Sequence, residues 1–406
     1  MSERREFDNP FNEEIGEQVL TDDAGKVSEP WHGLLKANIE KYLQQLENGL
    51  KHTDPNDYSV YTGSSGIALL YYKLSSTAFC QSTNNQQQLL SQASHILESS
   101  LPMLKGRRHT FLCGDAGVYA LSAVLYSKLG KTNKCETYIE KLCAMCEVVV
   151  SDRTLPDEML YGRAGYLYSL LFVQTHLGKE VISSAIVEQV VSAILKSGLA
   201  LSRKEKSRSP LKYAWHGKHY VGAAHGMVGI LYMLLQVYPS SPVVQQHTTE
   251  IKNTIEYLLS KQFSSGNFPS SLENDSDRLI HWCHGAPGAV YLMLKAYQLF
   301  KDKRYLDTAI LCGDVVWKRG LLRKGYGICH GVSGNAYTFL ALYKQTGDQL
   351  YLHRALKFAE WTFSYGEHNC RTPDTPYSLF EGLAGTLYFW LDLFEPQKSL
   401  FPAFEL

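Results

Sequence analysis

Two short stretches of this sequence join a soft sulfur, an imidazole and a glycine: Cys283-His284-Gly285 and Cys329-His330-Gly331. Two thiolates and one imidazole form a standard donor set for zinc. Three protein ligands leave the fourth tetrahedral position open, as in catalytic rather than structural sites. An open position among thiolates suits a substrate thiol, held as thiolate below its free pKa of about 8.5. That is activation of a sulfur nucleophile. Water activation is the competing use, and two thiolate ligands make the metal a poorer Lewis acid for it. The plainer alternative is two buried cysteines and two core histidines, a common fate for cysteine. It gives no reason for two identical triplets in register. Spacing alone leaves open whether His284 or His330 is the ligand. The separation is not that of a zinc finger, so a larger repeat has to bring the two triplets together.

That repeat is present. A Gly-x-x-Gly motif followed by a long apolar run occurs seven times, with first glycines at Gly63, Gly114, Gly162, Gly226, Gly285, Gly331 and Gly382. A period of this length signals a repeat architecture. Each apolar run is hydrophobic nearly all round, which requires a helix buried on most sides. More amphipathic segments lie between the runs. Residues 34–50 place Leu34, Leu35, Ile39, Leu43, Leu46 and Leu50 on one helical face, and residues 349–363 do the same with Leu352, Leu356, Ala359 and Phe363. Each unit therefore predicts an outer amphipathic helix, a glycine turn and an inner buried helix, with no sheet. Open solenoids need polar capping repeats. Here the first and last inner runs are as apolar as the middle ones, so the expectation is a closed, all-α toroid spanning residues 1–406. A polar segment at about 1–30 and a solvated surface insertion at about 202–212 complete it.

In a ring, equivalent positions fall on one circle. The residues just before each first glycine are Thr62, Cys113, Tyr161, His225, His284, His330 and Glu381, and one step earlier stand Tyr61, Leu112, Leu160, Ala224, Cys283, Cys329 and Phe380. Metal-competent side chains gather in the fourth to sixth repeats. His225, in the repeat beside Cys283, is a candidate acid or base. Cys113 stands one step off the cysteine column and reads as structural.

Composition narrows the partners. Forty basic residues balance forty acidic ones, and no basic stripe is present, so nothing draws the chain to nucleic acid or anionic membrane. The start MSERREFDNP has no apolar signal region, and Ser2 stands where N-myristoylation needs glycine. No uninterrupted apolar run reaches the roughly 20 residues of a membrane span. Nine scattered cysteines suit free thiols and metal ligands in a reducing cytosol better than a disulfide framework.

These residues resemble the lanthionine synthetase C superfamily over essentially the whole chain. The segments FLCGDAG, EMLYGR, YVGAAHG, IHWCHGAPG, GYGICHG, CRTPDTP and FPAFEL look like its eukaryotic branch, the lanthionine synthetase C-like proteins, and most like the type 1 members. The resemblance implies a toroid of seven inner and seven outer helices. It implies zinc on Cys283, Cys329 and His330, one ion per chain. Bacterial relatives add peptide cysteines to dehydroalanine or dehydrobutyrine. The eukaryotic proteins are similar in chemistry, take glutathione as the thiol, and are described both as glutathione transferases and as glutathione-binding proteins. Family glutathione contacts fall here on Lys324 and on Arg371-Thr372-Pro373-Asp374. Lysine and arginine suit the two carboxylates of the tripeptide, and Asp374 its amine. Taken alone, each would be an ordinary solvated charge. The bacterial cyclases use an aspartate near the third repeat; the comparable stretch here is Asp157-Glu158-Met159-Leu160-Tyr161-Gly162, in which the register favours Glu158, and it carries no assigned role.

The expectation is a cytoplasmic zinc-dependent glutathione transferase, with peripheral plasma-membrane association as the alternative location. It would act on dehydroamino-acid residues of proteins or on small electrophiles, with His225 protonating the product. The alternative function is a glutathione-sensing adaptor for signalling proteins with little turnover. A glycoside hydrolase on an α/α barrel ranks last: it needs a carboxylate pair at the mouth, and the pre-glycine column offers only Glu381.

Overall fold

The computed structural model describes residues 4–16, 19–77, 79 and 85–406. Met1–Glu3, including Ser2, and Cys80 lie outside the described residues. The expected fold class holds: the described residues form helices and turns, and pairing of the strand type is confined to isolated bridges such as Glu6 with Leu322 and Trp215 with Lys218. The chain forms two compact units. One comprises Met1–Met103, Ile280–Trp282 and Cys312–Glu405; the other comprises Leu104–Leu279 and Cys283–Leu311, with Leu406.

In the first unit, inner helices Ser64–Ser76, Val332–Thr346 and Leu383–Asp392 alternate with outer helices Trp31–Leu50, Gln86–Ser100 and Gln349–Phe363. Every residue of Leu383–Asp392 is buried. In the second unit the inner helices are Asp115–Lys128, Arg163–Leu177, Met227–Val237 and Ala286–Phe300. Met227–Val237 buries every residue but Gln236. Truncating one such leucine to alanine costs about 2–5 kcal/mol.

Each of the seven inner helices begins directly after the first glycine of its motif, which is the N-cap. None of these glycines offers a side chain to cap with. Instead the preceding loop folds across the helix start. In six repeats the first helical amide donates to the carbonyl seven residues earlier: Ser64 to Asp57, Asp115 to Arg108, Arg163 to Pro156, Met227 to Tyr220, Val332 to Gly325 and Leu383 to Pro376. This satisfies one of the donors that every helix start leaves open. The fold-back explains the glycines. A Cβ on Gly63 would meet the Asp57 carbonyl at 2.1 Å, and one on Gly334, the second glycine of its motif, would meet the Ile328 carbonyl at 1.9 Å.

Three readings change in detail. The buried stripe of Trp31–Leu50 runs through Trp31, Leu35, Ile39, Tyr42, Leu46 and Gly49. Leu34 is exposed, because two aromatic anchors set the register. The polar N-terminal segment is tied to the first unit. The Phe7 amide donates to the Leu321 carbonyl at 2.7 Å, the Arg323 amide to the Arg5 carbonyl at 2.9 Å, and the Asn9 side chain to the Trp317 carbonyl at 2.8 Å. The stretch at 202–212 is exposed over Arg203–Lys206 but tied down beyond it, where Ser209 and Leu211 are fully buried and the Leu211 amide donates to Thr254. One helix, Ser184–Lys204, is long and apolar enough to cross a membrane by length and composition. Its buried face, Val187, Val190, Val191, Ile194, Leu195 and Gly198, packs in the second unit as an outer helix does.

Candidate functional site

Cys329 sits on the turn before Val332–Thr346, and its amide donates to the Phe380 carbonyl at 2.9 Å. Two glycines let this turn close. Gly325 has φ +143°, and a Cβ on Gly327 would strike the Glu381 carbonyl at 2.5 Å. The Cys329 thiol is 2% exposed and accepts a hydrogen bond from the Tyr61 hydroxyl at 2.8 Å. His330 follows it. Burial disfavours the imidazolium of His330, but the neighbouring Cys329 sulfur and Glu381 outweigh that and raise its pKa, with Lys324 opposing.

Cys283 follows the fully buried Trp282, whose ring packs on Phe380, Phe401 and Phe404. The turn that carries Cys283 departs from the other six. Gly285 has φ +120°, and the first helical amide, Ala286, donates to the side-chain oxygen of Asn267 at 2.8 Å instead of to a carbonyl seven residues earlier. The Asn267 amide nitrogen in turn donates to Asp277 and to the Leu279 carbonyl. Gly222 lets the Cys283 carbonyl approach, since a Cβ there would meet it at 2.0 Å.

The ligand atoms of Cys283, Cys329 and His330 lie within 4.8 Å of one another, and this group could bind a metal ion. Two thiols and an imidazole at this spacing fit the zinc donor set. His330 is in the group, whereas His284 packs 5.6 Å from Tyr220 and 6.3 Å from His225.

His225 lies in a second arrangement. Its Nδ1 pairs with Glu158 Oε2 at 2.7 Å, and its ring stacks on Trp215 at 4.2 Å and 14°. Glu158 is 2% exposed and also accepts the amides of Leu160 and Tyr161. Trp215 is carried on a tight hairpin, closed by reciprocal bonds with Lys218 across His216 and Gly217, both at positive φ. Cys113, one step off the cysteine column, is buried and hydrogen-bonds Tyr161.

The remaining candidates lie in the first unit. Arg371 donates its amide to the Arg323 carbonyl at 2.8 Å, which sets it beside the residue preceding Lys324. Its guanidinium reaches Asp374 at 3.2 Å, both side chains being exposed. Thr372 is exposed and Pro373 half-buried. Asp374 lines a cavity of about 470 Å³ with Asp57, Thr62, Ser64, Ile67, Ile96 and the run Thr375–Ser378. Sequence reasoning missed three residues here. Tyr61 stood in the cysteine column but drew no notice, Glu158 was left without a role, and nothing in the sequence pointed to Asn267.

The sequence pattern described as lanthionine synthetase C-like protein matches residues 54–406. The chain belongs to the lanthionine synthetase C-like family. A relative in this family, glutathione S-transferase LANCL1 of Danio rerio, is 45% identical over 100% of both chains. Among solved structures, nisin cyclase aligns with a TM-score of 0.66 over 88% of this chain and 93% of that one, at 16% identity. That likeness carries the fold, and the family's α/α toroid is the fold of this chain.

Proposed function

We propose that this lanthionine synthetase C-like protein is a zinc-dependent glutathione transferase of the reducing cytosol. The observation that carries the proposal is the convergence of Cys283, Cys329 and His330. The name of the zebrafish relative supports glutathione as the thiol. These three side chains would hold zinc, which when bound supplies Lewis acidity toward an incoming thiol.

The chain's own residues supply the rest. Lys324 and Arg371 attract the carboxylates of glutathione, with Arg371 exchanging its exposed partner Asp374 for the ligand, and Asp374 turning to the ligand's amine. The glutathione sulfur forms a bond to the β-carbon of an electrophilic alkene, such as a dehydroalanine or dehydrobutyrine residue. The alkene electron pair moves to the α-carbon and its carbonyl, and a proton closes the step. Glu158, by accepting from Nδ1–H of His225, leaves Nε2 free to take up the proton lost by the glutathione thiol and return it to the α-carbon.

The test measures zinc content, glutathione binding and thioether formation with a dehydroalanine peptide, for wild type, Cys329→Ala and Arg371→Ala. Cys329→Ala should lose zinc and turnover, and Arg371→Ala should bind glutathione about tenfold more weakly, in line with a charge-assisted hydrogen bond. Full zinc and full turnover in Cys329→Ala would overturn the proposal. Zinc and glutathione binding without any thioether product in wild type would instead favour the adaptor reading.

A further inference from the structure

We propose that Tyr61 is a positioning residue of the metal centre, acting through a hydrogen bond to the Cys329 sulfur. The inference rests on the zinc reading above and deepens it.

Tyr61 stands two residues before Gly63, in the register slot that Cys283 and Cys329 fill in their own repeats. The slot that holds a metal ligand in two repeats holds a phenol in the first. Its hydroxyl lies 2.8 Å from Cys329 Sγ. Two backbone bonds fix that distance. The Phe380 amide donates to the Tyr61 carbonyl at 3.0 Å, and the Cys329 amide donates to the Phe380 carbonyl at 2.9 Å. Both partners thus hang from Phe380. The Tyr61 and Phe380 rings stack at 4.8 Å and 22°, while Trp282 packs on Phe380 at 5.5 Å. Phe380, Trp282 and Cys329 are all buried.

The hydroxyl is the only part of Tyr61 that reaches the sulfur by a polar bond. A ligating thiolate is an acceptor, and a phenol is a neutral donor. Donation to it orients the sulfur lone pairs and withdraws electron density from a ligand set rich in it. Outer partners of metal ligands are typically worth 10–100-fold in metal affinity.

Tyr61→Phe retains the stacked ring and removes only the O–H, so ring packing and hydrogen bonding separate in one variant. The experiment uses the full chain. Zinc affinity is measured by competition with a chromophoric chelator, and cobalt(II) loaded in place of zinc is read by its sulfur-to-metal charge-transfer band. Tyr61→Phe is expected to melt within a few degrees of wild type and to bind one ion, with a zinc dissociation constant raised about tenfold and the cobalt band shifted. Unchanged affinity and an unchanged band would overturn the proposal. So would a large drop in melting temperature, which would assign the hydroxyl to the fold. A Cys329→Ala control isolates the prior claim: if it holds metal as tightly as wild type, the zinc reading fails, independently of Tyr61.

Discussion

The His225 imidazole and the Glu158 carboxylate form a 2.7 Å pair in which the carboxylate is buried and the ring is clamped flat against Trp215. Glu158 sits on the loop before Arg163–Leu177 and His225 on the loop before Met227–Val237, so successive repeats supply the two halves. The pair dictates which ring nitrogen carries a proton. His225→Ala should lower the rate of thioether formation by about 100-fold or more, the scale of general acid catalysis. Glu158→Gln should lower the same rate while leaving zinc content and glutathione affinity intact. Equal rates for Glu158→Gln and wild type in single-turnover assays would remove Glu158 from the mechanism.

Thiol reactivity should report metal removal. Cys312 is fully buried, and burial holds its thiol far above the ordinary range, so it should resist alkylation in the native protein. Cys143 and Cys370 are half-buried and should react slowly, since burial raises both. Cys283 and Cys329 should be protected in zinc-loaded protein and become modified after chelation. Peptide mass mapping of maleimide adducts checks this, with Cys312 as the internal control.

Gly222→Ala tests how tightly the Cys283 turn is held. A Cβ there would sit 2.0 Å from the Cys283 carbonyl, so the turn has to shift. Overpacking of this kind costs about 1–3 kcal/mol. Urea titration should show that loss, and zinc affinity should fall with it. Gly130→Ala offers the contrast. It lies in open space with φ +70°, so it should carry backbone strain alone and leave zinc affinity unchanged.

A pH effect is expected at the base of the Trp215 hairpin. His219 lies between Glu205 and Glu273, and Lys212 also reaches Glu205 at 2.7 Å. The Lys212 hydrogen bond, with His219 assisting, holds the Glu205 carboxyl below its ordinary value. Burial opposes the same shift in Glu273, yet the His219 hydrogen bond prevails. A depressed carboxylate stabilises the fold above its unfolded pKa of about 4.3, and that stability is lost as pH falls through the folded value. His219→Ala should therefore cost under about 1 kcal/mol near pH 6, because these groups are partly exposed. The difference from wild type should shrink below pH 4. Denaturation curves at the two pH values decide it.

The repeat was legible in the sequence for steric reasons. A helix start crossed by its own preceding loop admits no side chain, so the glycines recur wherever the turn does. The grouping of Cys283, Cys329 and His330 was legible because that register converts distance along the chain into proximity. Leu34 misled because helical spacing alone does not say which of two adjacent stripes faces inward, and Trp31 and Tyr42 decided it. Asn267 was illegible, since its bond to Ala286 spans a loop with no periodicity. Tyr61 was visible but mute, because its role depends on a sulfur 268 residues away. The strapping of residues 5–7 along Leu321–Arg323 left no pattern either, as backbone pairing of so short a segment needs no particular side chains.

Six of the seven inner helices start on a bond between two backbone groups, which among substitutions of the donor residue only proline deletes outright. The seventh start, at Ala286, depends on a side chain. A single substitution at Asn267 can therefore release the turn that bears Cys283 while the other six remain clamped. One residue of the candidate metal-binding group thus sits on the turn before an inner-helix start that is held by a side chain, which makes Asn267 a handle for adjusting that turn without redesigning the scaffold.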